Sequence, residues 1–214
     1  FCQVTGVQTC ALPILVSTTG NDGKVSRQEN AAVVEAIMGR IGRFVYAEGD
    51  VSLEETIGRM LVEKGMHIAV AESCTGGLVA SRLTDVPGAS AYFLEGVVSY
   101  SNEAKNRLLG VSRKTLERFG AVSTTVAREM ARGCLQESGS DIAVSTTGIA
   151  GPSGGSQEKP VGTVCIGIAR RTPGGVQVDT GSYRMYGTRM QNKHRFAEAA
   201  LREVWRALRE KGTG

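Results

Sequence analysis

Three short runs hold the side chains that can do chemistry: Glu72-Ser-Cys-Thr-Gly-Gly77, Tyr100-Ser-Asn-Glu-Ala-Lys105 and Thr147-Gly-Ile-Ala-Gly-Pro-Ser-Gly-Gly155. In the first, Ser73 follows a short apolar run and precedes a helical one. A serine placed there sits at the carboxyl edge of a sheet, where open α/β proteins bind ligands. It also sits at a helix amino terminus, whose free N–H groups and dipole favour an anion. Such a serine can attack an electrophilic carbonyl while backbone amides hold the oxyanion. Gly76 and Gly77 lack a Cβ, so backbone or ligand can approach closely. The same spacing is that of an ordinary Ser/Thr helix cap, and spacing alone does not separate the two.

A nucleophilic serine needs a base. The chain has two histidines, His67 and His194, and neither stands in a glycine-rich turn. A Ser-His-Asp triad therefore finds no support, and both histidines are expected to be structural or exposed. Lysine can serve instead if burial or a neighbouring positive charge lowers its pKa. Lys105 follows Tyr100 by five residues, and a strand-to-helix corner can present both to one pocket. There the phenol can relay a proton. Read alone, Lys105 on a short helix is equally a solvated charge. The loop 147–155 lacks P-loop and Rossmann spacing. It can wrap a ligand with backbone amides or be a mobile surface connection. Arg184, Arg189 and Arg195 can clamp a phosphate or be simply solvated.

The elements that must position these groups follow from periodicity. Ser52 caps a helix through Glu55, with Leu53, Ile57, Met60 and Leu61 on one face and Gly65 as its stop. His67 to Ala71 is a strand, Leu78 to Leu83 a helix, and Phe93 to Tyr100 a second strand. Short helices over 102–109 and 115–119 end at Gly110 and Gly120, and Ser123 caps a longer one. Asp141 to Thr147 is a third strand. Val161 to Ala169 and Val176 to Met185 pair as a hairpin around Thr172-Pro-Gly-Gly175. Arg189 to Lys211 is an amphipathic final helix. Strands interleaved with helices predict a three-layer α/β/α fold with a mixed, mostly parallel sheet.

Composition narrows the function. The 214 residues carry a net charge of +4, without the dense Lys/Arg stripe of a nucleic-acid binder but suited to an anionic small substrate. No apolar run approaches the roughly 20 residues that span a bilayer. The five cysteines, Cys2, Cys10, Cys74, Cys134 and Cys165, form no CxxC pair and no zinc-like spacing. A reduced, cytoplasmic, metal-free protein is the expectation. Residues 1–14 stand apart, because Val4 to Ile14 (VTGVQTCALPI) resembles the translation of a common DNA-sequencing adapter. Residues 15–50, a polar stretch followed by a helical pattern at Val33, Val34, Ile37, Met38 and Ile41, read as the remnant of an upstream module and a linker.

Taken in order, the runs Ala71–Gly77, Asp85-Val-Pro-Gly-Ala-Ser90, Val98–Lys105, Leu108–Val111, Gly120-Ala-Val-Ser123, Thr147–Gly155 and Lys159-Pro-Val-Gly-Thr163 resemble the CinA carboxy-terminal family, over Val51 to about Leu208. That family is known as competence/damage-inducible protein CinA and as the stand-alone nicotinamide-nucleotide amidase. The resemblance implies hydrolysis of nicotinamide mononucleotide to nicotinate mononucleotide and ammonia, without a cofactor, in residues 51–212. It implies Ser73 as nucleophile with Lys105 and Tyr100 as proton carriers. It further implies Thr75, Gly76, Ser90, Thr147 and Gly148 as pocket lining, Arg189 as the phosphate ligand, and a homodimer. Residues 15–50 resemble the tail of the connecting segment in the longer form of the family. Two alternatives remain at this stage: a catalytically silent nucleotide-binding module in competence or DNA-damage response, and an amidase for another nucleotide-like amide.

Overall fold

The computed structural model describes residues 14–19 and 22–210. The adapter-like run therefore lies outside the described residues except for Ile14. The first helix, α1 (Gly23–Ile41), starts nearly three turns before the apolar pattern that marks it in the sequence. Asp22 accepts from the Lys24 amide and caps it, and good helix formers carry it across the polar stretch. It buries none of its residues, so it stands outside the core.

From residue 52 onward the local signals are met closely. Helix α2 (Leu53–Lys64) begins at a reciprocal Ser52/Glu55 capping box and ends at Gly65 in the left-handed region. Then come β1 (Ile68–Glu72), α3 (Leu78–Thr84), β2 (Phe93–Val98), α4 (Asn102–Leu109), α5 (Arg113–Phe119) and α6 (Thr124–Ser138). The chain closes with β3 (Ile142–Gly148), β4 (Thr163–Thr172), β5 (Gly175–Arg184) and α7 (Arg189–Arg209). Strand β2 stops at Val98, two residues short of the expected end, and this frees Tyr100 from the sheet.

The five strands lie in the order β2-β1-β3-β4-β5. Strands β2, β1 and β3 are parallel, β4 is antiparallel to β3, and β5 is antiparallel to β4. Four strands thus point one way and β4 alone opposes them, so the mixed, mostly parallel expectation holds for strand direction. The pairings themselves divide evenly between the two types.

The pleat sorts the core into two layers. Ile68, Val70, Ile142, Val144 and Ile166 face α2, α3 and α7, meeting Ile57, Leu61, Leu83, Phe196 and Leu201. Ala69, Ala71, Ala143 and Ala169 face the opposite way, toward Leu109, Val126, Met130 and Leu135 of α4 and α6. The period-2 alternation of large and small residues is what lets α6 approach closely. Ser145 Oγ donates to the Ala127 carbonyl across that gap at 2.6 Å. Each large side chain buried here contributes roughly 1.5–3 kcal/mol. The fold is a three-layer α/β/α sandwich whose carboxyl edge collects the ends of β1, β2 and β3.

Candidate active site

Strand β1 lies between β2 and β3, and the chain leaves it toward one side and returns on the other. Its carboxyl end is therefore a switch point, where crevices open in such sheets. Ser73 is the first residue past that end, 8% exposed, and its amide donates to the Thr146 carbonyl at 3.0 Å. The turn that follows needs Gly76 at φ +64 and Gly77 at φ +95, a region side chains rarely adopt.

Lys105, on α4, is 1% exposed and reaches across to the serine. Its Nζ stands 3.0 Å from Ser73 Oγ, 2.9 Å from the Ser99 carbonyl and 3.4 Å from the Tyr100 carbonyl. Burial holds its pKa below the ordinary lysine value, slightly opposed by Cys74. With two amine hydrogens directed at backbone carbonyls, the neutral form turns its lone pair toward the serine hydroxyl. That is the arrangement a general base requires. Cys74, the neighbouring thiol, is no rival nucleophile, because burial pushes its pKa up to about 12.

Glu72 was overlooked by sequence reasoning and does much of the positioning. Its buried carboxylate accepts from the amides of Gly77 (3.0 Å), Val79 (3.1 Å) and Ala80 (2.8 Å). The amino terminus of α3, expected to receive an anion from outside, is thus already filled by the chain's own carboxylate. The amides of Cys74, Thr75 and Gly76 have no backbone partner among the described residues. An acid directly before the serine and five residues before the second glycine was the available signal. Ser99 was also missed: it contributes its carbonyl to Lys105, while its amide ties to the Glu72 carbonyl at 2.8 Å.

The other expected site residues fall into two groups. Arg189, at the start of α7, donates to the Gly151 carbonyl at 2.9 Å and to the Tyr100 hydroxyl at 3.1 Å. This joins the last helix, the glycine loop and the β2–α4 corner at one rim. Tyr100 is 62% exposed, and no hydrogen bond joins its phenol to Ser73 or to the Lys105 amine. Its hydroxyl faces Arg189 at the rim rather than Ser73. Thr75 is buried, its hydroxyl bonded to that of Thr146 at 2.7 Å, so its side chain braces the turn instead of facing a pocket. Thr147 likewise gives its hydroxyl to the Ala121 carbonyl at 2.8 Å. Gly148 has no room for a side chain, since a Cβ would fall 2.6 Å from the Thr163 carbonyl oxygen.

Ser90 is placed elsewhere. It lies in the 3-10 turn Ala89–Ala91 that leads into β2, at the amino edge of the sheet, with β1 and β2 running between it and Ser73. His67 stands at that same edge, beside Asp141 at 3.3 Å. Hydrogen bonds tie down the two ends of the glycine loop. Ile149 N donates to Thr163 O at 2.8 Å, and Asn192 Nδ2 donates to Ala150 O at 3.0 Å. Lys159 Nζ donates to Phe119 O at 2.6 Å. Arg184 lies over the Tyr186 ring, and Arg195 is half-buried beside Gly187. A cavity of about 970 Å³ between α1, α2 and α7, bordered by Ile37, Met38, Tyr46 and Trp205, includes none of these site residues. Among the described residues no group of His, Cys, Asp and Glu could hold a metal ion, and no helix is long and apolar enough to cross a membrane.

Fold and site define a three-layer α/β/α protein with a buried serine–lysine pair at the carboxyl edge of its sheet. The family model for the CinA C-terminal domain matches residues 50–208, and the chain belongs to that family. A CinA-like protein of Chlorobium limicola is 64% identical over 203 residues, covering 94% of this chain and 47% of that protein. One from Chlorobaculum tepidum is 59% identical over 92% of this chain and 47% of its own length. The chain spans about half the length of the curated relatives it matches. Among solved structures, a competence/damage inducible protein from Agrobacterium tumefaciens superposes with a TM-score of 0.67 at 39% identity. It covers 77% of this chain and all of its own. A CinA superfamily protein from Klebsiella pneumoniae gives 0.69 at 34% identity, over 73% and 95% of the two chains.

Proposed function

We propose that this chain is an amidohydrolase that converts nicotinamide mononucleotide to nicotinate mononucleotide and ammonia. The observation that carries the reading is the 3.0 Å contact between Lys105 Nζ and Ser73 Oγ, made by a buried amine that pairs with no carboxylate among the described residues. Lys105 takes the hydroxyl proton as Ser73 Oγ attacks the amide carbonyl. The amides of the 74–76 turn receive the developing oxyanion. Lys105 then returns the proton to the departing nitrogen, which leaves as ammonia. A water molecule, deprotonated by the same amine, attacks the acyl-serine, and the carboxylate product leaves as Ser73 recovers its proton.

Tyr100 and Arg189 act together at the rim. Arg189 has guanidinium hydrogens left over for the substrate phosphate, and the phenol holds it in place. The activity is assigned to residues 51–212. Residues 15–50 are read as a connecting segment of a longer protein. A cytoplasmic homodimer acting on a free nucleotide completes the proposal.

Ammonia release from nicotinamide mononucleotide, measured for this chain and for Ser73→Ala, tests the reading. Turnover abolished by the substitution is the expected result. A folded wild-type chain that binds the nucleotide and releases no ammonia overturns it in favour of a silent binding module.

A further inference from the structure

Lys193 lies one helical turn beyond Arg189 on α7, so the two cations share a face of that helix. Its Nζ stands 3.5 Å from where a Cβ on Gly76 would be, directly over the turn that carries Ser73. The residue is half-buried and makes no hydrogen bond or ion pair among the described residues. The two acids on the following turns of α7 are committed: Glu198 to Arg82 at 2.7 Å, and Glu203 to Arg206 at 2.6 Å. A partly desolvated ammonium without a counter-charge is costly to keep, and an anionic ligand is what would complete it.

The helix ends nearby cannot take that anion. Glu72 occupies the amino terminus of α3, and the reciprocal Thr188/Gln191 capping box closes that of α7. Anion recognition at this edge is therefore left to side-chain cations. We propose that Lys193 is a specificity-determining residue that, with Arg189, grips the phosphate of the substrate. The inference rests on the nucleotide reading above, in which the phosphomonoester is the only anionic group and the pyridinium ring is a cation. Arg189 positions its planar fork through Gly151 and Tyr100, and Lys193 supplies an uncommitted point charge one turn deeper.

Steady-state ammonia release by the 214-residue chain, its Lys193→Gln variant and its Lys193→Arg variant tests the assignment. Two substrates are compared: nicotinamide mononucleotide and nicotinamide riboside, the same amide without phosphate. Lys193→Gln is expected to raise KM for the mononucleotide roughly tenfold, the scale of one charge-assisted contact, with kcat nearly kept. The riboside should show no matching loss, and Lys193→Arg should restore most of the mononucleotide KM. Equal losses with both substrates, or an unchanged KM, overturn the inference while leaving the amidase reading intact. Calorimetric binding of the mononucleotide to Ser73→Ala, with and without Lys193→Gln, decides the matter independently of turnover. About tenfold weaker binding supports the role, and equal affinity or no binding to either protein overturns it.

Discussion

The two edges of the sheet treat polar groups in opposite ways. At the amino edge, His67 and Asp141 pair in partial exposure, the carboxylate also taking the His67 amide at 2.7 Å. At the carboxyl edge a lysine is buried against a serine and two carbonyls, with no acid bonded to it among the described residues, and a second lysine over the adjacent turn has no hydrogen-bond or ion-pair partner among them. An arrangement that costs stability persists where its cost is tied to reactivity, and perturbed titration concentrates at such places. The lesson is that unbalanced charge marks the carboxyl edge as the candidate site, whereas the cavity between α1, α2 and α7 holds none of its residues.

The contrast can be broken by substitution. Ser73→Ala should lower ammonia release by at least about a thousandfold while leaving the unfolding midpoint nearly unchanged. Lys105→Met should cost about a hundred- to ten-thousandfold in kcat. It should also erase the dependence of rate on pH. In the wild type the neutral amine is the active form, so the rate should rise with pH through a pKa that burial holds below the ordinary lysine value of 10.5. A profile that falls with rising pH would contradict this assignment. Glu72→Gln keeps the shape but loses the charge that three amides share; about 1–2 kcal/mol of stability should go, read from chemical denaturation, with a modest fall in kcat. At the amino edge, His67→Ala should alter stability by no more than about 0.5 kcal/mol, since the pair is screened by solvent, and leave kcat as it was.

Local signals carried most of the fold. The Ser52/Glu55 box, the stops at Gly65 and Gly110, and the Ser123 cap each depend on neighbours in sequence and appear where the residue types place them. The boundary at Val98 was not legible, because Tyr100 has good strand character and only the bond from Lys105 shows why the chain turns away. The start of α1 was missed because apolar periodicity says nothing about a polar helix held by a cap and propensity. In the site, spacing put Ser73 and Lys105 at element corners without separating them from a helix cap and a solvated charge, and their 3.0 Å contact appears only in the fold. Thr75 and Thr147 could not be sorted from pocket residues, since which way a hydroxyl turns is decided by partners 71 and 26 positions away. Lys193 carries no local signal in the sequence, because the turn at Gly76 lies beneath it only in the fold.

The raised pKa of Cys74 has a practical meaning for handling the protein. Cys74, Cys134 and Cys165 are buried free thiols, and burial pushes the first two up to about 12. At neutral pH almost none of either is the thiolate that alkylating agents and peroxide attack. Iodoacetamide should therefore pass over the residue beside the nucleophile, while an electrophile that prefers hydroxyls, such as an organophosphonate, should label Ser73. Labelling of Ser73 can then be followed in the presence of reducing agent or oxidant alike.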